Sequence, residues 1–541
     1  MPSTDINPII PGFAPDPSIV LIDGTFFLVN STFHLFPGLP IYASKDLLSW
    51  KHIGKQSLPE FEFLLTNVVG NAINRQEQLS LAKSGTTIWP RDDSPGGTGD
   101  CMLATGGLYA PTIRHRDGIT YVVCTNILQP LFDVKENFIV STTDIWSNSW
   151  SDPVYFDFDG IDPSIFFDDD GRVYMKGSAA PGPMTKINMF EIDLKTGKKL
   201  TDEKTIWEGT GGIYPEGPHL YKKDGWYYVM ISEGGTHENH MITVARSKDI
   251  WGPYDAFEKN PILTARGTDE YIRYTGHCDM FQDQQGNWWG VCLGVRKEKA
   301  TGSYIMGRET FLTTGKWDEG EWPSLNQVRL NPILDNGTLL VRAEGNVRLT
   351  SQPSVDYVYI RDAILDHHRF SDDAETITLT ASEGNISQWQ EPVTFIGKRQ
   401  RELQGGAGAS MEVISTPASS YLKAGLAYYK DEHRFIKFFY DFSASSIVVE
   451  TVNKAKEISK TSKVDLQLKE GDLISFRVEY TETKYNFSYR VGTDEKVAWI
   501  SFTSVDALDM TGPDFVGPVI GIFATSRVPD VQVQFKNLAV E

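Results

Sequence analysis

Three carboxylates stand at the heads of similar phrases far apart in the chain: Asp16 in Pro-Asp-Pro-Ser, Asp162 in Ile-Asp-Pro-Ser and Glu216 in Pro-Glu-Gly-Pro-His. Taken singly, an aspartate before Pro-Ser caps a turn. Acids at three of five repeated positions point instead to a shared task. With no accompanying Cys/His metal set, the chemistry they suit is acid/base hydrolysis of a glycosidic bond. One carboxylic acid protonates the leaving oxygen, and one carboxylate activates water or attacks carbon directly. A third carboxylate nearby raises the acid's pKa by like-charge repulsion, so that the acid keeps its proton near neutrality.

The elements that must bring these residues together are written five times. An apolar run follows the first residue of each phrase, then a turn ending in Gly, then an aromatic strand. The phrases run from Asp16 to Phe27, Ala110 to Tyr121, Asp162 to Tyr174, Glu216 to Tyr228 and His277 to Trp289. Asp-Gly or Gln-Gly between apolar segments is a strong hairpin signal. A repeat of roughly fifty residues, holding about four strands' worth of chain, is the sequence form of a β-propeller blade. Inner strands of a propeller point at one axis, so Asp16, Ala110, Asp162, Glu216 and His277 are expected to converge there.

The 541 residues exceed one ordinary domain, and 40% hydrophobic with 12% aromatic content can fill buried cores. The 71 acidic and 51 basic residues give a net charge of −20, which argues against a grip on nucleic-acid phosphates and for a neutral oligosaccharide substrate. Cys101, Cys124, Cys278 and Cys292 form no CxxC pair, and the last three lie in apolar runs, so buried thiols are expected. The N-terminus has no basic and apolar leader, and no run approaches the roughly 18 apolar residues of a membrane span. The expectation is a cytoplasmic protein as written, or a secreted one if the native N-terminus is missing, with no membrane partner. Self-association into a homo-oligomer is compatible with this composition.

The phrases fill residues 1–340, the expected propeller domain. A polar insertion from Gln76 to Gly106 is expected to be a surface loop near the propeller mouth. Residues 341–541 read as short strands, including Met411–Ile414, Ile447–Val452, Leu473–Tyr480 and Val531–Lys536. Period-2 alternation there predicts an antiparallel β-sandwich. The chain is therefore expected to be all-β: a five-bladed β-propeller followed by an antiparallel β-sandwich.

The three carboxylate phrases, together with Ser31-Thr-Phe33-His-Leu-Phe-Pro-Gly, Ser232-Glu-Gly-Gly-Thr, Gly-His277 and Gly-Arg308-Glu-Thr, resemble glycoside hydrolase family 43. Lys398-Arg-Gln-Arg and Ala424-Gly-Leu-Ala-Tyr-Tyr429 resemble the sandwich domain of its β-xylosidase branch, so the likeness covers essentially the whole chain. The resemblance implies a five-bladed glycosidase acting on xylose- and arabinose-containing glycans with inversion of configuration. Asp16 would be the general base, Glu216 the general acid and Asp162 the residue that orients the acid and tunes its pKa. Inversion calls for an acid and base roughly 6.5–9.5 Å apart, leaving room for water.

Carried over in the same way, Arg308 would hydrogen-bond sugar hydroxyls, a task suited to its fixed planar donors. Phe33 would wall the terminal sugar, and Phe515, in Asp514-Phe-Val-Gly-Pro, would reach in from the sandwich, which the resemblance makes a concanavalin-like domain contributing to the active-site rim. Tyr109 joins the substrate-binding set where well-known members have Trp. The chemistry itself requires no cofactor. His277 occupies the position where the family often binds a structural calcium through water. Exo-acting release of terminal β-D-xylose, with α-L-arabinofuranose also accepted, is the leading expectation. A dedicated α-L-arabinofuranosidase on arabinoxylan and a catalytically silent carbohydrate-binding propeller are the alternatives.

Overall fold

The computed structural model describes residues 5–54, 70–89, 101–128, 134–180, 182–334, 337–343, 347–352, 355–371, 375–414, 421–492 and 496–541, and among them there is no α-helix. Each of the five phrases becomes the inner hairpin of a blade: Ser18–Ile22 with Thr25–Val29, Gly107–Arg116 with Ile119–Leu128, Gly160–Phe167 with Val173–Ala179, Glu216–Lys223 with Trp226–Glu233, and Ile272–Gln282 with Trp288–Arg296. Third and fourth strands complete each antiparallel sheet. Apolar side chains alternate off these strands and fill the seams between neighbouring blades. Tyr174, Met189 and Val229 share one seam, Val123, Ile165 and Phe190 another, and Met230, Cys278, Cys292 and Phe311 a third. All four cysteines are free; Cys124, Cys278 and Cys292 are buried.

The ring is closed by the N-terminal segment. Ile10 exchanges two backbone hydrogen bonds with Thr310, on the third strand of the fifth blade. The Asn7 side chain brackets Leu312, donating to its carbonyl at 2.7 Å and accepting from its N–H at 2.8 Å. This segment runs along the blade edge where the fourth strand, Ser324–Leu325, is too short to cover it.

Below the carboxylate level, a buried polar knot plugs the axis. Asp279 of the fifth blade accepts from Ser18 Oγ of the first at 2.7 Å, from Arg114 of the second at 2.8 and 3.1 Å, and from Tyr221 of the fourth at 3.0 Å. Arg114 also meets His219 Nδ1 at 3.1 Å, and that nitrogen lies 3.2 Å from Ser164 Oγ of the third blade. Every blade thus contributes to one network.

The second domain is a sandwich of an eight-stranded and a seven-stranded sheet. Three of the strands read from sequence appear as Ser446–Asn453, Leu473–Tyr480 and Gln532–Val540, whereas the strand expected at Met411–Ile414 lies mostly before it, at Gly405–Glu412. The propeller reaches into this domain: Leu35–Phe36 pairs antiparallel with Tyr357–Ile360 and forms the edge of the eight-stranded sheet. Conversely Leu349–Ser351 pairs parallel with Trp50–His52 on the first blade.

The insertion departs from the surface loop expected for Gln76–Gly106. Thr86–Trp89 and Met102–Thr105 form an antiparallel hairpin, and Leu81, Ser84, Thr86 and Leu103 are buried; residues 90–100 lie outside the described residues. Several of its polar groups find sandwich partners instead of water. Thr86 Oγ1 donates to Glu432 at 3.1 Å, Leu81 N–H to Asp362 at 2.7 Å, and Leu103 N–H to the Pro513 carbonyl at 3.0 Å.

Burial by itself would raise the Asp279 carboxyl, but the Arg114 guanidinium, aided by His219 and Ser18, holds it well below the usual carboxylate range. A carboxyl depressed in the folded state stabilises above its unfolded pKa, near about 3.9, and loses that contribution as pH falls through the folded value. Asp279→Asn leaves Arg114 buried without its counter-charge. The expected loss at neutral pH is about 3–5 kcal/mol by denaturant melts, and the variant's stability should vary less between pH about 4 and lower values than the parent's.

Candidate active site

The axial residues are aimed by local strain. Asp16, Ala110, Asp162 and His277 all adopt left-handed backbone, with φ of 53°, 40°, 55° and 44°. The inner ladders slip register at Ile161/Ser164, Glu216/His219 and Gly276/Asp279. A bulge of this kind turns a side chain out of the pleat, at a cost of order 1–3 kcal/mol for each non-glycine residue so held.

In the fourth blade the equivalent position is Gly217, with φ 59°, rather than Glu216 as the sequence phrase suggested. A Cβ at Gly217 would sit 3.0 Å from the His277 ring, so the blade leaves this position bare and carries its acid one residue earlier. Glu216 still faces the cluster: Asp162, Asp16 and Arg308 all act on its ionisation.

The three carboxyls occupy different surroundings. Asp16 is clasped, accepting from Ser31 Oγ at 2.6 Å and from Arg308 Nη1 at 3.2 Å, with His277 Nδ1 at 3.8 Å. Ser31 Oγ is itself fixed by the Ala110 N–H at 2.7 Å. Asp162 accepts the Gly217 N–H at 2.9 Å and so holds the backbone beside Glu216. Burial, aided by the Asp16 charge, pushes Asp162 up to about 6 against the opposing pull of His277 and the Gly217 N–H. Glu216 is raised well above its ordinary value, first by burial and then by Asp162 and Asp16. Among the described residues its carboxyl has no hydrogen-bond partner, which leaves it available to a ligand.

An aromatic wall adjoins this cluster. The Phe33 ring lies 4.6 Å from Tyr109 and 5.8 Å from Phe515, and Phe515 lies 5.7 Å from Tyr109. The Tyr109 hydroxyl donates to the Thr105 carbonyl, so Tyr109 presents a ring face rather than a free hydroxyl. Arg308 joins the wall to the acids. Its guanidinium lies over Phe33 and Phe515 and donates twice to the Phe515 carbonyl, at 3.2 and 3.0 Å. It also donates to Thr236 Oγ1 at 3.0 Å.

All eight residues singled out from sequence therefore fall in one neighbourhood. Ser31 and Thr236 complete the clasp and were not singled out, although both stand inside quoted motifs; hydroxyls carry no charge pattern that marks them. Glu233 of the same motif as Thr236 is a loop clamp, accepting from Thr210 N–H and Thr243 Oγ1.

Among the described residues no three His, Cys, Asp or Glu side chains converge on a possible metal. Calcium takes about six to eight oxygen ligands, whereas His277 offers nitrogen and the adjacent Asp16 oxygens are engaged by Ser31 and Arg308. These side chains do not build a direct calcium cage.

Carboxyls of unlike ionisation around a propeller axis, beside an aromatic wall, define the site of an acid/base glycosidase. The profile for glycosyl hydrolases family 43 matches residues 6–60 and 69–323, and that for the beta-xylosidase C-terminal concanavalin A-like domain matches 350–541. The chain belongs to glycosyl hydrolase family 43. It is 32% identical to "Non-reducing end alpha-L-arabinofuranosidase BoGH43B" of Bacteroides ovatus, over 96% of this chain and 91% of that one. It is 30% identical to "Xylan 1,3-beta-xylosidase" of a Vibrio species, over 99% and 98%. The solved GH43 protein BlXynB of Bacillus licheniformis superposes with a TM-score of 0.77 at 26% identity, covering 99% of both chains.

Since the Asp162 charge lifts Glu216, Asp162→Asn should lower the Glu216 pKa. Carbon-13 titration of the glutamate carboxyl should record a fall of about one unit or more; an unmoved resonance would refute the coupling.

Proposed function

We propose that this protein is an exo-acting, inverting glycosidase that removes terminal pentose, β-D-xylose and also α-L-arabinofuranose, from xylo-oligosaccharides and related hemicellulose fragments. The observation that carries this reading is the split between the carboxyls: Glu216 is held toward its protonated form, while Asp16 is clasped by Arg308 and Ser31.

Glu216 donates its proton to the glycosidic oxygen as that bond breaks. Asp16 takes a proton from the water that attacks the anomeric carbon on the opposite face, so the product carries inverted configuration. Asp162 keeps Glu216 protonated by like-charge repulsion and fixes the adjoining backbone through the Gly217 N–H. Arg308 turns fixed donors toward the sugar hydroxyls while it aligns Asp16. Phe33, Tyr109 and Phe515 stack on the terminal ring and stop the site at one sugar, which favours exo action. Proton exchange with solvent returns both carboxyls to their starting states.

Names of relatives include both xylosidases and arabinofuranosidases, which keeps a dedicated α-L-arabinofuranosidase as the second reading. Release of xylose from xylobiose against arabinose from arabinoxylan separates the two. A silent carbohydrate-binding propeller is disfavoured by the presence of all three carboxyls.

Glu216→Gln should fold normally and lose about 10²–10⁴ in kcat on xylobiose, the usual worth of general acid catalysis. It should lose much less on nitrophenyl glycosides, whose leaving group needs little protonation. Near-parental turnover on xylobiose would remove Glu216 from this role.

Proton NMR of the first-formed sugar should show the anomer opposite to that of the substrate, without transglycosylation. Retention would make Asp16 a nucleophile and overturn the water-activating role.

A further inference from the structure

The wall residue Phe515 arrives from the sandwich, and its position depends on the residue before it. Asp514 is almost wholly buried. Its carboxylate meets Lys430 Nζ at 2.6 Å and Arg434 Nη1. Arg434 meets Asp431 at 3.0 Å as well. Burial raises the Asp514 carboxyl, but Arg434 and Lys430 outweigh it and hold the group below the usual range. Two other titratable groups face it: His237, on the propeller side, which burial pushes down to about 4 and leaves neutral, and the Tyr428 phenol, which burial pushes up and also leaves neutral.

The backbone of this segment is clamped on both sides. Leu103, on the inserted hairpin, donates to the Pro513 carbonyl and forms a parallel bridge with Asp514. Gly307 and Gly517 let the main chains touch: a Cβ on Gly307 would lie 2.7 Å from Gly517 Cα, and one on Gly517 would lie 2.4 Å from the Met306 carbonyl. Between these contacts the Phe515 carbonyl takes two hydrogen bonds from Arg308, whose remaining arm reaches Asp16.

We propose that Asp514, gripped by Lys430 and Arg434, is a positioning residue for catalysis, fixing the Phe515 carbonyl and through it the placement of Arg308 among the three carboxyls. The sandwich then acts on the chemistry and not only on the depth of the site. This deepens the function proposed above and rests on it. A merely structural cluster would affect stability alone. A positioning cluster also affects charge at the centre, because the groups acting on Glu216 are Asp162, Asp16 and Arg308, and Arg308 is the one that lowers its pKa. Letting Arg308 retreat raises that pKa. Since the acid works only when protonated, the alkaline limb of kcat/KM then moves to higher pH.

The test compares Asp514→Asn and Lys430→Met with Lys437→Met, which breaks the Lys437–Glu450 pair elsewhere in the sandwich, 2.6 Å long. Melting temperatures and full pH profiles on xylobiose are read for each. Asp514→Asn should lower kcat about tenfold and raise the alkaline limb by about half a pH unit. Lys430→Met should shift the limb in the same direction by less, and it carries the test if Asp514→Asn does not fold. Lys437→Met should change stability with neither kinetic effect. An unmoved limb and parental kcat in the folded Asp514 or Lys430 variants, despite lowered stability, overturn the proposal. Glu216→Gln in the parent background separates the two readings. If the alkaline limb persists there, the acid assignment fails, and the kcat comparison against Lys437→Met alone decides the positioning role.

Discussion

The buried pair between Asp279 and Arg114 is the constraint on which the rest of this molecule depends. Blades meet through apolar seams, which have no preferred direction and would tolerate sliding. A charge pair taken out of water tolerates none, because each partner is costly to bury unless its lone pairs and protons are all met. Ser18 meets them from the first blade and Tyr221 and His219 from the fourth, and Ser164 of the third reaches the same knot through His219. The five inner strands are thereby set at one height about the axis. Asp16, Asp162 and Gly217 stand two residues before Ser18, Ser164 and His219 of the knot. The plug also makes the axis a floor, so a ligand meets a blind end.

On this floor the site spends conformational strain. Left-handed backbone at Asp16, Asp162 and His277 is held only because the strands on either side are pinned by the knot below and the seams around it. The fourth blade resolves the crowding differently. The His277 ring occupies the space that a side chain at Gly217 would need, and the acid is carried by Glu216 instead. This offset gives Glu216 surroundings unlike those of Asp16 and Asp162, and it is surroundings that decide how firmly a carboxyl such as Glu216 holds its proton.

Much of this was legible in the sequence. Asp-Gly turns between apolar runs are local signals, and so is period-2 alternation. They place the five inner hairpins, and one sandwich strand, Leu473–Tyr480, with its bounds. The carboxylates were legible because three acids in a repeated place are improbable by chance. The offset at Gly217 was not, because Glu-Gly-Pro and Asp-Pro-Ser look equivalent until backbone angles are known. Nor was the burial of the hairpin around Thr86. A polar stretch reads as surface unless its partners are visible, and here they are Glu432 and Asp362, hundreds of residues downstream. Ser31 and Thr236 escaped notice for the same reason: a hydroxyl's role is set by what it touches.

The exchange of strands between the two domains bears on how the chain comes into being. Leu35–Phe36 has its partner at Tyr357–Ile360, and the Pro11 carbonyl accepts from Arg401, 390 residues later. The aromatic wall is finished only by Phe515, hundreds of residues after Phe33 and Tyr109. During translation the earliest blade waits with an open edge, and the carboxyls form a centre without its last side. The pocket thus stays open on one side until the stretch that carries Phe515 has been made and has docked on Arg308.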